Sequence, residues 1–395
     1  MVSMKKILAL LAVVLVCTVL FFTFEGQIRE GLAALPDAIS SVMLRVGSGL
    51  FGAAQGDPPP GTKDSETGGQ TSGDGSGTPS GSGGTEILPD DANDYYFNQL
   101  GTNARVIYRA ILENCTRTGD IAISLAEPLV YHHADRTAPA SLGDDVSAMA
   151  QPAMDALAYD HPEIDWIRIG AEGEEDGSRF NIPMTRKDDP AGGYITTVTE
   201  LKFCMKTKSG YESDADIAAH RTEMDAALTA ICPTDGDRYT QLKTMHDTLC
   251  ERVVYDLSAP RAHTASGALL DGRAVCDGYA KAFKLLCDRA GIPCVIVAGN
   301  AEQGEGQEPH AWNYVQMEDG LWYAVDVTWD DPADTSRPPS DDFFLVGAHT
   351  MRSFVRFEDS HIPCGTFSAG DTQVFLFPAL AENRYRPSLL RQKAA

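Results

Sequence analysis

A tract of glycine, serine and proline divides the chain and limits where a folded core can form. Residues 56–88 contain PPPG followed by GGQTSGDGSGTPSGSGG. This composition is typical of a flexible tether, because it has few apolar side chains to bury. The glycines do not form a phosphate-binding loop, since no strand precedes them and no Lys-Ser/Thr pair follows. We therefore expect ordered structure to begin near Asp90.

The segment before the tether has the pattern of a membrane signal. Lys5 and Lys6 precede an apolar run over residues 7–24. The run is at the short end for a membrane span, and no small-residue cleavage site follows it directly. We expect residues 1–25 to be an uncleaved signal anchor and residues 26–55 a juxtamembrane segment, with a cleaved signal peptide as the alternative. Both place the remaining chain outside the cytoplasm.

Charge and cysteine content bear on partners and compartment. The net charge of −24 argues against a nucleic-acid partner, because binding phosphates needs a surplus of Lys and Arg. Nine cysteines in an exported chain raise the question of disulfides, with buried free thiols as the alternative. The histidines at 132, 133 and 161 lack the spacing of metal ligands. We expect no metal and no nucleotide, flavin or nicotinamide cofactor.

Hydrophobic spacing predicts helices and strands after the tether. The predicted helices are 95–113, 146–159, 213–231, 238–253 and 276–289. The predicted strands are 194–205, 293–298, 310–317 and 322–329. A Pro-Thr-Asp-Gly-Asp break at residues 233–237 separates an accessory α+β domain (89–232) from a second domain (233–395), in which one helix packs on an antiparallel sheet.

Three short motifs in the second domain bring together the groups needed for thiol chemistry. They are VCDGYAKAF around Cys276, HAWNYV from His310 and YAVDVTWDDP around Asp326. A thiolate must attack a carbonyl, an imidazole must carry a proton, and a third group must orient the imidazole. Taken singly, the cysteine and the histidine are each compatible with a buried structural role as well as with a catalytic one. Their order along the chain favours a Cys-His-Asp triad.

The pairing of the two strands tests this triad in part. A turn at Asp319-Gly320 sets Glu318 opposite Leu321. His310 and Asp326 are then not directly opposed, and a bulge, a longer turn or a diagonal contact is needed to join them. The pattern therefore permits the pair without proving it.

The position of Cys276 at a helix start has a chemical consequence. The N-terminal N–H groups and the helix dipole favour a thiolate, and the same N–H groups can bind an oxyanion. Gly278 leaves room for a substrate backbone to approach. The other candidate substrate-binding residues are Tyr279, Trp312, Trp329 and Tyr255, of which the two tryptophans are expected in the core or the cleft wall.

The ordered motifs resemble those of the transglutaminase-like superfamily, a papain-like group of cysteine peptidases and acyltransferases. The likeness is strongest to bacterial extracytoplasmic members and covers residues 237–332, with a weaker match at ALAYDHPEIDW (156–166). The resemblance implies a papain/transglutaminase-like α+β fold. It also implies that Cys276 is the nucleophile, His310 the general base and acid, and Asp326 the orienting carboxylate.

The resulting expectation is a membrane-anchored thiol enzyme that acts on protein or peptide substrates at the cell surface, including cell-wall peptides. Attack on an amide carbonyl gives a thioester, which passes to water in a peptidase or to an amine in a cross-linking enzyme. The resemblance favours hydrolysis. A binding module that keeps the fold without turnover is the competing class. The segment beyond residue 332, with His361 and Cys364, receives no interpretation from sequence.

Overall fold

The computed structural model describes residues 94–169, 177–302, 307–332, 337–364 and 375–387. The proposed anchor, the juxtamembrane segment and the tether lie outside the described residues. The helices are α1 Thr102–Asn114, α2 Leu142–Asp160, α3 Asp214–Ile231, α4 Arg238–Arg252, α5 Cys276–Arg289, α6 Val327–Asp330 and α7 Phe357–Ser360, with a 3₁₀ turn at Phe97–Gln99 and a π-helical turn at Gly267–Asp271.

The strands form one sheet in each half of the chain and two small two-stranded pairs. They are β1 Asp120–His133, β2 Arg179–Asn181, β3 Thr185–Asp188, β4 Tyr194–Cys204, β5 Val254–Tyr255, β6 Arg273–Ala274, β7 Cys294–Glu302, β8 Gln307–Gln316, β9 Trp322–Val325, β10 Met351–Arg352, β11 Val355–Arg356 and β12 His361–Pro363. In the first sheet, β1, β2 and β3 all pair with β4. The second sheet has the order β12-β7-β8-β9, and every pair in it is antiparallel. The predicted α+β class is confirmed.

The second sheet is buried by two layers of packing. Tyr279, Phe283 and Leu286 of α5 lie in a cluster of buried residues with Val315 of β8. A second cluster joins other residues of β7 and β8 to the helices and sheet of the first half of the chain. The strands that carry the candidate site are therefore held between α5 and the preceding segment, which favours a rigid backbone at the site.

Helix α5 has the start and the end that its sequence predicts. Val275 is in an extended conformation at the N-cap, and Cys276 is the first helical residue. Gly291 follows the helix with φ +67°, a conformation that suits glycine because it has no Cβ. The predicted helix over 276–289 is confirmed.

The predicted strand over 322–329 is wrong in its second half. Strand β9 ends at Val325, and the chain turns into α6 because the Asp326 carboxylate accepts a hydrogen bond from Trp329 N–H at 3.1 Å. The predicted register is wrong by one residue, since Gln316 pairs with Trp322 and Met317 N–H bonds to Leu321 O. The expectation that His310 and Asp326 do not oppose each other directly holds in the observed register.

In the first half, one predicted helix needs correction and one strand was missed. The predicted helix over 95–113 is interrupted, because Leu100 is extended between the 3₁₀ turn and α1. Strand β1 was not predicted from the sequence. It pairs with β4 through a register shift between Ser124 and Leu129, and this irregularity breaks its alternating burial.

The two halves share helix α3 and a buried polar cluster. Met224, Leu228 and Ile231 of α3 pack in the same core as α5. Near the start of that helix, His220 Nε2 lies 2.9 Å from Asp165 Oδ1, and the hydroxyl of Ser266 donates to the other oxygen of Asp165. The segments before and after residue 232 therefore meet through buried side chains, and their division into an accessory and a second domain is a proposal.

The cysteines of the described residues are all free. They are Cys115, Cys204, Cys232, Cys250, Cys276, Cys287, Cys294 and Cys364. Within the same residues, no helix has both the length and the apolar character needed to cross a bilayer.

Candidate active site

The candidate site begins at the junction between a loop and helix α5. The loop at Ala262 is bound to the helix start, since Val275 N–H donates to Ala262 O at 3.0 Å. Cys276 is 7 % exposed, so its sulfur lies in a largely water-excluded position. The N–H groups of the first turn of α5 have no acceptor within the helix, and they are available to bind negative charge.

The sheet brings the candidate histidine and aspartate together at this point. His310 Nε2 lies 2.7 Å from Asp326 Oδ2, although the two residues are on different elements. Asp326 is fully buried and His310 is 6 % exposed. Because Asp326 occupies Nε2, the other ring nitrogen, Nδ1, is left to interact with Cys276, which is among the groups that raise the pKa of His310.

Electrostatic interactions at the site favour the charged form of His310. Burial alone disfavours the imidazolium, but the Asp326 carboxylate and the Cys276 sulfur outweigh it and raise the pKa of His310 to about 10. Burial likewise disfavours ionised Asp326, yet its two histidine neighbours hold its pKa well below the usual range. The imidazolium therefore persists as pH rises and is lost only as pH passes through about 10.

Aromatic rings enclose the imidazole. The Trp329 ring stacks on His310 at a centroid distance of 5.0 Å, and the Trp312 ring stacks at 6.0 Å. Trp312 is 1 % exposed, whereas Trp329 is partly exposed. Trp329 therefore forms the outer wall of the site and Trp312 the inner wall. Both walls keep water from the bond between His310 and Asp326, which strengthens it.

The structure adds a second histidine that sequence reasoning missed. His361 Nε2 lies 3.2 Å from Asp326 Oδ2, the same oxygen that faces His310. It reaches this position because β12 pairs with the edge of β7, with His361 opposite Ala301. No motif surrounds His361 in the sequence, and only the antiparallel pairing of β12 with β7 brings it to the site.

Gly278 has a packing partner within the chain itself. A Cβ at this position would lie 2.4 Å from the carbonyl oxygen of Ala262 and 2.9 Å from the Ala274 Cβ. The space that we expected a substrate backbone to use is therefore filled by the loop at Ala262. The glycine is needed so that this loop can approach the start of α5.

Replacing Gly278 with alanine is expected to destabilise the fold by about 1–3 kcal/mol, the usual cost of overpacking. The loop at Ala262 must also move away from the helix start, which lowers the reactivity of Cys276. Gly143→Ala is the matched control, since Gly143 is also helical and has nothing within 4 Å of an added Cβ. Urea denaturation measures the free energy of unfolding of both variants. Equal stabilities would contradict the close approach at Gly278.

The two candidate tyrosines differ in access. Tyr279 is fully buried, and its hydroxyl lies 3.1 Å from Val253 O and 2.5 Å from Asp331 Oδ2. This side chain presents no surface to a substrate and joins α5 to the end of α6. Tyr255 is half-exposed, and its pKa is raised by burial and by the nearby Cys276 and Asp277. Of the two, Tyr255 lies at the rim of the site.

Among the residues that the structure describes, two side-chain groups have the residue types of a metal site. One is His310, Asp326 and His361, and the other is His246, Asp247 and Asp341, each with potential ligand atoms within 4.8 Å of one another. In the first group, both histidines are hydrogen-bonded to Asp326. In the second, His246 contacts Asp247 at 2.9 Å and Asp330 at 3.2 Å. Asp341 of the second group is paired with Lys243 at 3.0 Å. These contacts engage the side chains of both groups, and no metal is assigned.

Comparison with known proteins agrees with the motifs. Residues 226–327 match the family model of the transglutaminase-like superfamily. The chain is 33 % identical over 132 residues to human kyphoscoliosis peptidase, which covers 30 % of the chain and 19 % of the relative. It is 34 % identical over 94 residues to the mouse protein of the same name, covering 20 % and 14 %. The chain therefore spans less than a fifth of either relative.

Solved structures give low-scoring matches. A TGase crystal structure matches with a TM-score of 0.24 at 13 % identity, covering 38 % of this chain and 44 % of that one. The periplasmic domain of TgpA from Pseudomonas aeruginosa matches with a TM-score of 0.19 at 14 % identity, covering 55 % and 74 %. It is the family model that carries the assignment: the segment at residues 226–327, which holds Cys276, His310 and Asp326, belongs to the transglutaminase-like superfamily.

Proposed function

We propose that the chain is a thiol enzyme that attacks amide carbonyls of protein or peptide substrates and hydrolyses them. The supporting observation is the buried pair of His310 and Asp326 at 2.7 Å, together with the interaction between His310 and Cys276 at the start of α5. Three groups with the required chemistry therefore meet in one water-poor site. Cys276 is the nucleophile, His310 carries the proton, and Asp326 orients the imidazole.

In the first half of the reaction, the Cys276 thiolate forms a bond to the carbonyl carbon. The negative charge that develops on the carbonyl oxygen is stabilised by N–H groups of the first turn of α5. The carbon–nitrogen bond then breaks as the His310 imidazolium gives its proton to the leaving nitrogen. An amine departs, and a thioester on Cys276 remains.

In the second half, the neutral imidazole of His310 takes a proton from water as the water oxygen attacks the thioester. The carbon–sulfur bond breaks, and a carboxylic acid leaves. The thiolate and the imidazolium are restored, and the proton balance closes. Throughout, Asp326 keeps one ring nitrogen bonded so that the other faces the sulfur.

The setting of this enzyme is part of the proposal. The apolar run after Lys5 and Lys6 supports an anchor in the cell membrane, and the glycine-rich tether supports a catalytic unit held away from that surface. Residues 89–232 would form an accessory domain and residues 233–395 the catalytic domain. Substrates would be proteins or peptides at the surface of a bacterial cell, including cell-wall peptides.

An acyl-transfer experiment separates hydrolysis from amine transfer. The full chain is incubated with dimethylated casein, with and without a fluorescent primary amine, and the products are analysed by mass spectrometry. We expect casein fragments with new carboxyl termini and little amine incorporation. Incorporation at glutamine side chains without fragments would instead identify a cross-linking enzyme. If neither arm gives a product but the chain still binds casein, the result would favour a non-catalytic binding module.

A further inference from the structure

The catalytic carboxylate has one more partner than the triad requires. Asp326 Oδ2 faces both His310 Nε2 at 2.7 Å and His361 Nε2 at 3.2 Å, while Oδ1 accepts from Trp329 N–H at 3.1 Å. His361 is 1 % exposed and lies at the start of β12. The triad accounts for His310, and the cap of α6 accounts for Trp329. Nothing in the reaction yet uses His361.

Neighbouring residues hold the His361 ring in a fixed position. The Phe357 ring stacks on it at 4.1 Å, and the Trp329 ring packs edge-on at 4.6 Å. On its other nitrogen, Nδ1 lies 2.9 Å from the hydroxyl of Ser360. The pairing of β12 with β7 anchors the backbone. With almost no exposed surface, His361 cannot act on a substrate directly.

The hydrogen-bond inventory determines the tautomer of His361. A carboxylate only accepts hydrogen bonds, so the ring nitrogen that faces Asp326 must carry a hydrogen. In a neutral ring, Nδ1 then accepts a hydrogen bond from the Ser360 hydroxyl, whose single hydrogen turns to the ring at 2.9 Å in preference to Phe357 O at 3.1 Å. Burial lowers the pKa of His361 and outweighs the opposing effect of Asp326. His361 is therefore a neutral donor, whereas His310 is the charged one.

We propose that His361 is a positioning residue for the catalytic centre. Its Nε2–H and the Trp329 N–H hold the Asp326 carboxylate in the plane that aims the His310 ring at Cys276. This role of His361 rests on the proposed function. It extends the catalytic centre to the C-terminal segment, because strand β12 carries His361. Without that donor, Asp326 keeps two partners in place of three, and Oδ2 is held by His310 alone.

The proposal predicts a change in pH dependence with a defined sign. The charged and titratable groups around His361 are Asp326, His310 and Arg352. The hydrogen bond from His361 helps to hold the pKa of Asp326 low. If the bond is removed, Asp326 supports the His310 imidazolium less well, and the imidazolium in turn favours the Cys276 thiolate less. The acid limb of Cys276 reactivity therefore moves to higher pH.

The test is the rate of iodoacetamide alkylation of Cys276 between about pH 3 and pH 8 in the full chain, with mass spectrometry to assign the site. His361→Leu should lower the plateau rate about tenfold or more, the size of effect that loss of a hydrogen bond to a metal ligand has at metal centres. The midpoint of its acid limb should move to higher pH by about half a unit or more, because the lost hydrogen bond contributes about 1 kcal/mol. His361→Gln keeps a donor near the Nε2 position and should restore both. His349→Leu, an exposed histidine of the same segment, is the matched control.

The outcomes are distinct. If His361→Leu melts earlier but keeps the wild-type plateau and acid limb, His361 only supports the fold, and the proposal is wrong. If micromolar Zn²⁺ blocks the wild type, EDTA reverses the block and His361→Leu is insensitive, the cluster is a metal site, and the proposal is also wrong. If wild-type Cys276 shows no His310-dependent reactivity at all, the proposed function itself fails, and the role of His361 falls with it.

Discussion

Replacing Cys276 with alanine is expected to abolish acyl transfer while leaving the fold intact. The reporter is p-nitrophenyl acetate, a small ester that acylates a reactive thiolate and releases a coloured phenolate without needing a specific substrate. Loss of a nucleophile typically lowers turnover by about 10⁴-fold or more, because no other group forms the covalent intermediate. Cys276 is the first residue of α5 and lies in the buried core, and alanine is close to it in size and apolar, so the fold should be kept.

The control for this variant is a cysteine outside the site. Cys232, at the end of α3, is half-buried, and burial raises its pKa. Cys232→Ala should keep the wild-type burst of phenolate. A burst that survives in Cys276→Ala, or that disappears in Cys232→Ala, would show that another thiol carries the reactivity. The melting temperature of both variants excludes unfolding as the cause.

Replacing Phe283 with alanine is expected to have the largest effect on stability. Its ring is fully buried where α5 packs on the second sheet, so truncation removes apolar contacts and leaves a cavity. Such substitutions cost about 3–5 kcal/mol of the free energy of unfolding. Because α5 also carries Cys276, the remaining folded protein should alkylate more slowly as the helix start loosens.

The matched control is a phenylalanine whose side chain lies outside the core. Phe354 is 97 % exposed at the tip of the β10-β11 hairpin. Phe354→Ala should change stability by no more than about 0.5 kcal/mol, as surface substitutions usually do. Chemical denaturation followed by tryptophan fluorescence compares the two. Similar losses in both variants would mean that α5 does not form the core on the second sheet.

The sequence predicted helix α5 and the order of the three site residues because local signals mark them. Gly291 ends the helix, and each site residue lies in a short motif. Register was less predictable, since it depends on how the chain turns between Met317 and Leu321. The end of β9 was missed because residues 326–329 have the residue types of a strand. Only the hydrogen bond from Trp329 N–H to Asp326 marks the start of a helix there.

The parts of the site that could not be predicted depend on distant packing. His361 lies 35 positions after Asp326 and reaches it only through the pairing of β12 with β7. The space at Gly278 looked open from the sequence, yet the loop at Ala262 fills it. Contacts of this kind depend on tertiary structure, and hydrophobic periodicity carries no information about them.

The most direct test of the account is the alkylation rate of Cys276 against pH, in the full chain and in a His310→Ala variant. We predict fast labelling below pH 7 that slows about tenfold or more in the variant, because an unassisted thiol is only a few per cent ionised at pH 7. A further change in the rate is expected near pH 10, where the imidazolium is lost and the thiolate is left without its partner charge. Labelling that follows the titration of an ordinary thiol and does not depend on His310 would contradict the thiolate–imidazolium pair, and with it the proposed enzyme.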